Sequence, residues 1–524
     1  MYSDEIELPE LNLNLIDNKT FNIEILNDQA AFPVLKYSIL PRPSFSEEIK
    51  LDLEKILPDK SETVESQKPV NAQLNLGYGL NNELLVSFAL FLSDMNPKIS
   101  LNYIRKTYER NRIDRPDDTS SASSIDHVSV GLISNYKQFS VFGKLDFFNK
   151  NYGLQGLSAA YNEQTKRLIN LDISPSFKFN NRNELTYKLE TDIIMIENSP
   201  NESFKSLNQF TVFVRNDFLF TQVFTDNQVL QATLGYNFNY MNNSENDRNY
   251  YFYGNISDIF YNEIKTTLSY QTIIKDAFLI QGLLDIRFLF RDTTFHWYIN
   301  PFVKLEYNLH EYFSCSVEGG SLINERPDEN FILKNDYSLL STKVLPGYRW
   351  FADTGLTASV LEWFKITTNF EYAFNMSGTN LTIIDPNQRL VSHINREFHE
   401  LNINAGLFFT VKGILNIKAS WEHRFLEVPA YTGRDRLSAE IRCTFSNVGI
   451  DFFVDGKFDF VVRDYAGILM GNKYEVGTGF DFSKNEAFAI GFKFSNIAFQ
   501  QEQRTIAGYF DRGINGIIYI KIGF

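Results

Sequence analysis

The chain has 524 residues, 44% hydrophobic and 15% aromatic, with 48 Phe and 27 Tyr but only 4 Trp. Its 64 Asp and Glu outnumber 50 Lys and Arg, a formal net charge of −14, which argues against nucleic acid as a partner. Mean hydropathy is −0.24 and no run of about 18 apolar residues occurs, so no transmembrane helix is available.

Residues 1–68 differ from the rest. They hold 14 Asp and Glu against 7 Lys and Arg, a net of −7, and no glycine. Pro9, Pro33, Pro41, Pro43 and Pro58 discourage long helices and central strands. Residues 44–57, SFSEEIKLDLEKIL, fit one short helix with Ser46 as N-cap and Glu47 and Glu48 at the positive end of its dipole. The expectation is an acidic arm, extended in a periplasm or inserted in a lumen, or a disordered tether. The start has no basic n-region or apolar h-region, so a mature sequence with an added Met is expected, its signal peptide removed.

From residue 69 to 524 a period-two signal is nearly continuous. Leu74, Leu76 and Tyr78 alternate with Gln73, Asn75 and Gly77. Leu185, Tyr187 and Leu189 alternate with Thr186, Lys188 and Glu190. Ile417, Ala419 and Trp421 alternate with Lys418, Ser420 and Glu422, and Phe452, Val454, Phe458 and Phe460 with Asp451, Asp455, Lys457 and Asp459. Each is a strand with one apolar and one polar face. Short connections near Asn181, Asp226, Leu361, Asn447 and Lys484 alternate with long ones at 111–125, 198–206, 241–249 and 323–336. This is the pattern of a transmembrane antiparallel β-barrel with short periplasmic turns and longer outer loops, of about 22 strands within a range of 18–24. The closed ring pairs every backbone group without water, and the apolar face meets outer-membrane lipid.

The polar phase carries the candidate lumen-lining residues: Lys188, Glu190, Asp192, Asp285, Arg287, Lys304, Glu306, Lys418, Glu422, Arg424, Glu440, Arg442, Asp451, Asp455, Lys457 and Asp459. Both signs are interspersed. They read as a hydrated, mutually compensating wall, or as a transverse field that orients polar solutes. Cys315 and Cys443 each alternate in phase with apolar neighbours, so lipid-facing packing is expected and a disulfide is not. Of the six histidines, His393 and His399 lie six apart, expected at a loop and a strand start. That spacing does not suit a strand-borne metal pair. No nucleotide-binding glycine motif occurs. No catalytic residues, metal or cofactor are expected.

The chain ends GIIYIKIGF, with Ile518, Ile520, Ile522 and Phe524 in one phase. Such an ending resembles that of bacterial outer-membrane barrels, which implies that these residues close the barrel and serve as a signal to the barrel-assembly machinery. Residues 342–376, from Thr342 to Met376, resemble late barrel hairpins of the TonB-dependent receptor-like proteins of Bacteroidetes. So does the order of acidic arm, NLGYGLNNELLVSF (75–88) and long loop. The resemblance covers residues 69–524 as a pattern rather than a motif, and residues 1–68 are too short for the globular plug such receptors carry. IELPEL (6–11) is a weak candidate for a TonB-binding segment. The resemblance implies a cell outer-membrane channel or transporter for small polar solutes. The alternative is a sealed scaffold that docks a periplasmic or surface partner through residues 1–68. An enzyme is not expected.

Overall fold

The computed structural model describes residues 70–523 apart from 81, 93–94, 110–121, 154–160, 181, 201–206, 226, 245–258, 276, 292–293, 310–311, 325–346, 362, 386–389, 412–413, 427–433, 447, 464–468, 486–487 and 498–513. The expected arm and its helix at 44–57, and Phe524, lie outside the described residues.

The described residues form one sheet of 22 antiparallel strands. In chain order these are β1 (Val70–Gly79), β2 (Leu84–Leu92), β3 (Lys98–Glu109), β4 (Ala122–Tyr136), β5 (Phe139–Gly153), β6 (Tyr161–Asn180), β7 (Asn183–Pro200) and β8 (Leu207–Thr225). There follow β9 (Gln228–Ser244), β10 (Ile259–Ile274), β11 (Phe278–Arg291), β12 (Thr294–Leu309), β13 (Phe313–Asn324), β14 (Gly347–Leu361), β15 (Phe364–Asp385) and β16 (Leu390–Val411). The last are β17 (Leu415–Leu426), β18 (Asp435–Phe445), β19 (Ile450–Arg463), β20 (Leu469–Asn485), β21 (Phe488–Ser495) and β22 (Asn515–Gly523). Each strand pairs with the next, and β22 pairs with β1 from Ile517–Gly79 to Gly523–Gln73, which closes the ring.

The alternation seen in the sequence is the cause of the wall. On β11 the phase of Leu284, Phe288 and Phe290 is exposed, and that of Gln281, Asp285 and Arg287 is buried. On β12 Phe295, Trp297, Ile299, Val303, Leu305 and Leu309 share an exposed phase. Only a face turned to lipid leaves so many large apolar side chains uncovered. The connections sort by end. Those after β2, β4 and every further even-numbered strand to β20 are tight turns, and the long ones fall at the opposite end.

The polar face is the concave one, as contacts that skip a strand show. Lys265 Nζ on β10 reaches Asp217 Oδ2 on β8 at 3.0 Å, across β9. The β9 residue in register with both is Gly235. A Cβ there would lie 2.3 Å from Asp217 Oδ1 and 2.6 Å from Lys265 Cε. Tyr519 on β22 donates to Asp481 Oδ1 on β20 across Gly491 of β21. Lys493 Nζ on β21 sits 5.9 Å from the Phe453 ring of β19, across Gly479 of β20. Three times a glycine leaves room for its two neighbours to meet above it, which requires side chains that converge as they do inside a ring.

One expectation is corrected. His393 and His399 both lie within β16, not in a loop and at a strand start, because β15 and β16 continue as a paired hairpin to Asp385–Leu390.

Candidate functional site: the inner face of the barrel

All sixteen charged residues singled out in the sequence fall on the face opposite the exposed apolar side chains, but in two different environments. On β7 and β11 Asp192, Asp285 and Arg287 are buried and Lys188 and Glu190 half-buried, beside buried charges of β8 and β10. Arg215 contacts Glu190 at 3.5 Å and Asp217 at 3.1 Å, and Asp217 holds Lys265. Arg287 donates to Asp285 at 2.5 Å and to Glu263 at 3.1 Å. Asp285 also accepts from Thr267 and Asn300. Asp192 accepts from Asn170. The Asp285 and Arg287 side chains are 0% and 1% exposed. A buried charge is tolerated when an opposite charge offsets it, and Arg215, Asp217, Asp285 and Arg287 each have one.

From β13 to β19 the same face is more open. Lys418 meets Glu440 at 3.4 Å with side chains 57% and 32% exposed. Arg349 pairs with Glu371 at 3.1 Å, and Arg442 with Glu440 at 3.5 Å. Lys304 of β12 lies between Glu306 at 3.3 Å and Glu318 at 3.9 Å. Arg424 pairs with Glu422. Arg436 holds Asp459 at 2.5 Å, and Thr444 donates to Asp451 at 3.0 Å. Asp455 is exposed and Lys457 half-buried.

Within this open half lies a band of neutral polar groups. Ser314, Thr357, Thr367, Ser420 and Ser438 occupy one register row from β13 to β18, with Gly406 filling the β16 position. Beside it a cavity of about 310 Å³ is lined by Glu306, Ser314, Ser316, Thr357, Asn369 and Asn404 among others. Hydroxyls and amides both donate and accept, so this stretch presents hydrogen bonds of either sense without a net charge.

Among the described residues no group of three or more His, Cys, Asp or Glu is placed to hold a metal ion. His127 is buried 3.5 Å from Asp146. His423 contacts Asp435 at 2.7 Å, and His399 pairs with the Tyr372 hydroxyl and stacks on Phe374. Cys315 and Cys443 are free thiols. Ile518, Ile520 and Ile522 sit in β22 opposite Tyr78, Leu76 and Leu74 of β1, with Ile518 and Ile520 exposed.

Sequence reasoning missed Arg215, Asp217, Glu263 and Lys265. Their phase was readable, since Glu263 and Lys265 flank Ile264, but their bonds join strands up to 48 residues apart. It also missed apolar residues on the inner phase, such as Ile194, Ile196, Leu289 and Phe453, all buried.

A ring of 22 antiparallel strands with tight turns at one end matches solved structures. The iron transporter FrpB of Neisseria meningitidis superposes with a TM-score of 0.69 at 10% identity, over 88% of this chain and 82% of that one. The siderophore receptor PirA of Acinetobacter baumannii gives 0.69 at 9% identity, over 88% and 81%. The ferripyoverdine receptor of the Pseudomonas aeruginosa outer membrane, bound to ferripyoverdine, gives 0.65 at 10% identity, over 87% and 72%. The described residues share the barrel fold of these proteins. No family model matches the sequence, and no curated protein matches it. At this identity the likeness is one of fold.

Proposed function

We propose that the chain is an outer-membrane transporter of the receptor kind, passing a small polar solute along the inner face between β13 and β19. The observation that carries this reading is the asymmetry of the inner wall. Charged pairs of β8, β10 and β11 are buried and offset one another, a flank with little exposed charge to offer a solute. Those of β13 to β19 keep exposed charge beside the hydroxyl row, so a passing solute exchanges water for wall contacts at small cost. The sixteen charged residues then line the lumen, with the second half forming the path. Both signs occur there, which favours neutral or zwitterionic solutes over a single ionic class.

An iron transporter and siderophore receptors among the structural neighbours support the transporter reading without naming this chain's solute. In this proposal residues 1–68 restrict the passage rather than build the wall. Single-channel recording in planar bilayers tests it, with the full chain and with a chain lacking residues 1–68. The expected result is conductance that rises when the segment is removed. No conductance from either protein at any voltage overturns transport and favours the sealed scaffold. Loss of a captured periplasmic partner on removing the segment would then identify the segment as its dock.

A further inference from the structure

β12 and β13 share rungs only from Leu309–Phe313 up to Phe302–Gly320. Beyond that rung both strands continue. β12 runs on to Thr294 paired with β11, and β13 to Asn324 paired with β14. Among the described residues no other seam has both strands running four or more residues past their last shared rung.

The chain explains the break. Asn308 N donates to Ala277 O beside β11, so the even-numbered backbone groups of β12 face β11 and the odd-numbered ones face β13. Pro301 is odd, and its missing N–H falls on the β13 side. At the last rung the backbones crowd together. A Cβ on Gly320 would lie 2.2 Å from Pro301 O and 2.7 Å from Phe302 Cα.

Above that point side chains hold the seam. Ser321 Oγ of β13 and Tyr348 Oη of β14 each donate to Ile299 O at 3.3 Å. The Tyr298 and Tyr348 rings are 5.6 Å apart. The outer flank is apolar and the inner one mixed, since Asn300 is buried there and donates to Asp285 while accepting from Ser321 Oγ. Phe295, Trp297 and Ile299 are exposed on the outside. On the inside Leu289 and Phe302 are buried, and Phe351 stacks on Phe302 at 6.1 Å. The eight shared rungs, at about 3.4 Å each and a tilt of about 40°, rise about 20 Å from the tight-turn end. The break therefore opens inside an apolar band about 25 Å tall, in its outer half.

We propose that the seam between β12 and β13 above Phe302–Gly320 is a lateral portal, through which the acyl chain of an amphiphile passes between the inner face and the outer leaflet. Opening it breaks side-chain contacts, those of Ser321 Oγ with Ile299 O and Asn300 Oδ1, of Tyr348 Oη with Ile299 O and of the Tyr298 and Tyr348 rings, and no backbone ladder. It gives the apolar inner patch beside Phe302 a purpose that a polar solute path does not. The portal rests on the transport reading for its use but not for its opening.

The test uses the full chain with Cys315→Ser and Cys443→Ser. A bimane label is placed on Phe351→Cys beside the seam or on Glu371→Cys, where rungs are continuous on both sides. The protein is reconstituted in phosphatidylcholine vesicles. Quenching by doxyl-labelled phosphatidylcholine reports bilayer chains entering the seam, and doxyl-stearate added from water reports a free amphiphile. Stronger quenching at 351 than at 371 is expected. S321A/Y348F, which removes both donors to Ile299 O, should raise the open fraction about tenfold. Heat-modifiable migration on gels checks folding, and the comparison of 351 with 371 stands without that variant. Equal quenching at both positions in both backgrounds overturns the portal. So does a Trp297→Cys protein that cross-links to a second copy, since a partner strand would then fill the edge. Ion current with equal quenching removes the portal and leaves transport standing. Unequal quenching without current keeps the portal and removes transport.

Discussion

Replacing Gly235 with alanine adds one methyl group at the centre of the β8–β9–β10 wall. That methyl would stand 2.3 Å from Asp217 Oδ1 and 2.6 Å from Lys265 Cε, so the pair above it cannot keep its geometry. The tighter clash is with the carboxylate, so Asp217 and Lys265 must both move and the 3.0 Å bond between them is lost. The loss is one charge-assisted hydrogen bond between side chains that are each 6% exposed, about 1.5–3 kcal/mol. Against it stands the gain from a less flexible strand residue, about 0.5–1 kcal/mol. The net expectation is a destabilisation of about 1–2 kcal/mol. Gly282 is the control. It lies on the lipid-facing phase of β11 with nothing within 4 Å of its virtual Cβ, so Gly282→Ala should stabilise by about 0.5–1 kcal/mol. Reversible folding into detergent or thin bilayers, followed by tryptophan fluorescence and gel migration against urea, measures both. Lys265→Met in the Gly235→Ala background should recover little, because Asp217 then lacks that partner in either case. If Gly235→Ala is no more destabilising than Gly282→Ala, the strand-skipping tie carries no energy and the reasoning fails.

The same folding assay checks the other expectations. Arg287→Met leaves the Glu263 and Asp285 carboxylates buried without their cation and should cost about 3–5 kcal/mol. Lys418→Met removes one side of an exposed pair and should change stability by less than about 1 kcal/mol. Equal costs for the two would contradict the division of the inner face into buried and open halves. Phe452→Arg places a guanidinium on an exposed apolar position of the outer face and should cost about 2–4 kcal/mol near the bilayer midplane. Ser420→Arg on the opposite phase should cost far less, and similar losses from both would show that the faces are exchanged.

Much of this architecture was readable in the chain, for a definite reason. A barrel strand needs lipid on one side, so β11 and β19 announce themselves by an apolar phase interrupted only by Gly282 and Gly456. What resisted reading depends on neighbours. The inner phase of β7 carries Lys188, Glu190 and Asp192 but then turns to Ile194 and Ile196. Nothing local says that this change happens inside a ring. The β15–β16 hairpin continues through SGTNLTIID and LVSHINREFH, polar stretches with no clear outward apolar stripe. His393 therefore read as loop. The paired set of Asp217 and Lys265 needed the register of three strands at once, which no single strand's pattern contains. The effect of Pro301 and Gly320 depends likewise on the register of β12 against β13, in which Gly320 forms the last rung and Pro301 lies just beyond it.

The glycines under the strand-skipping ties bear on a question that alternation leaves open. A strand that slips by one residue exposes its wrong face and is rejected by lipid. A slip of two keeps every apolar side chain outside, and the bilayer does not object. On β9 such a slip would bring Thr233 or Asn237 beneath Asp217 and Lys265 in place of Gly235, and on β21 it would bring Ala489 or Lys493 beneath Asp481 and Tyr519 in place of Gly491. Each substitute carries a side chain where the ties leave no room. Two small gaps thus discriminate between alignments that hydrophobicity treats as equal. They do so only after the third strand arrives, so errors in a hairpin already formed are still exposed when its next neighbour is added.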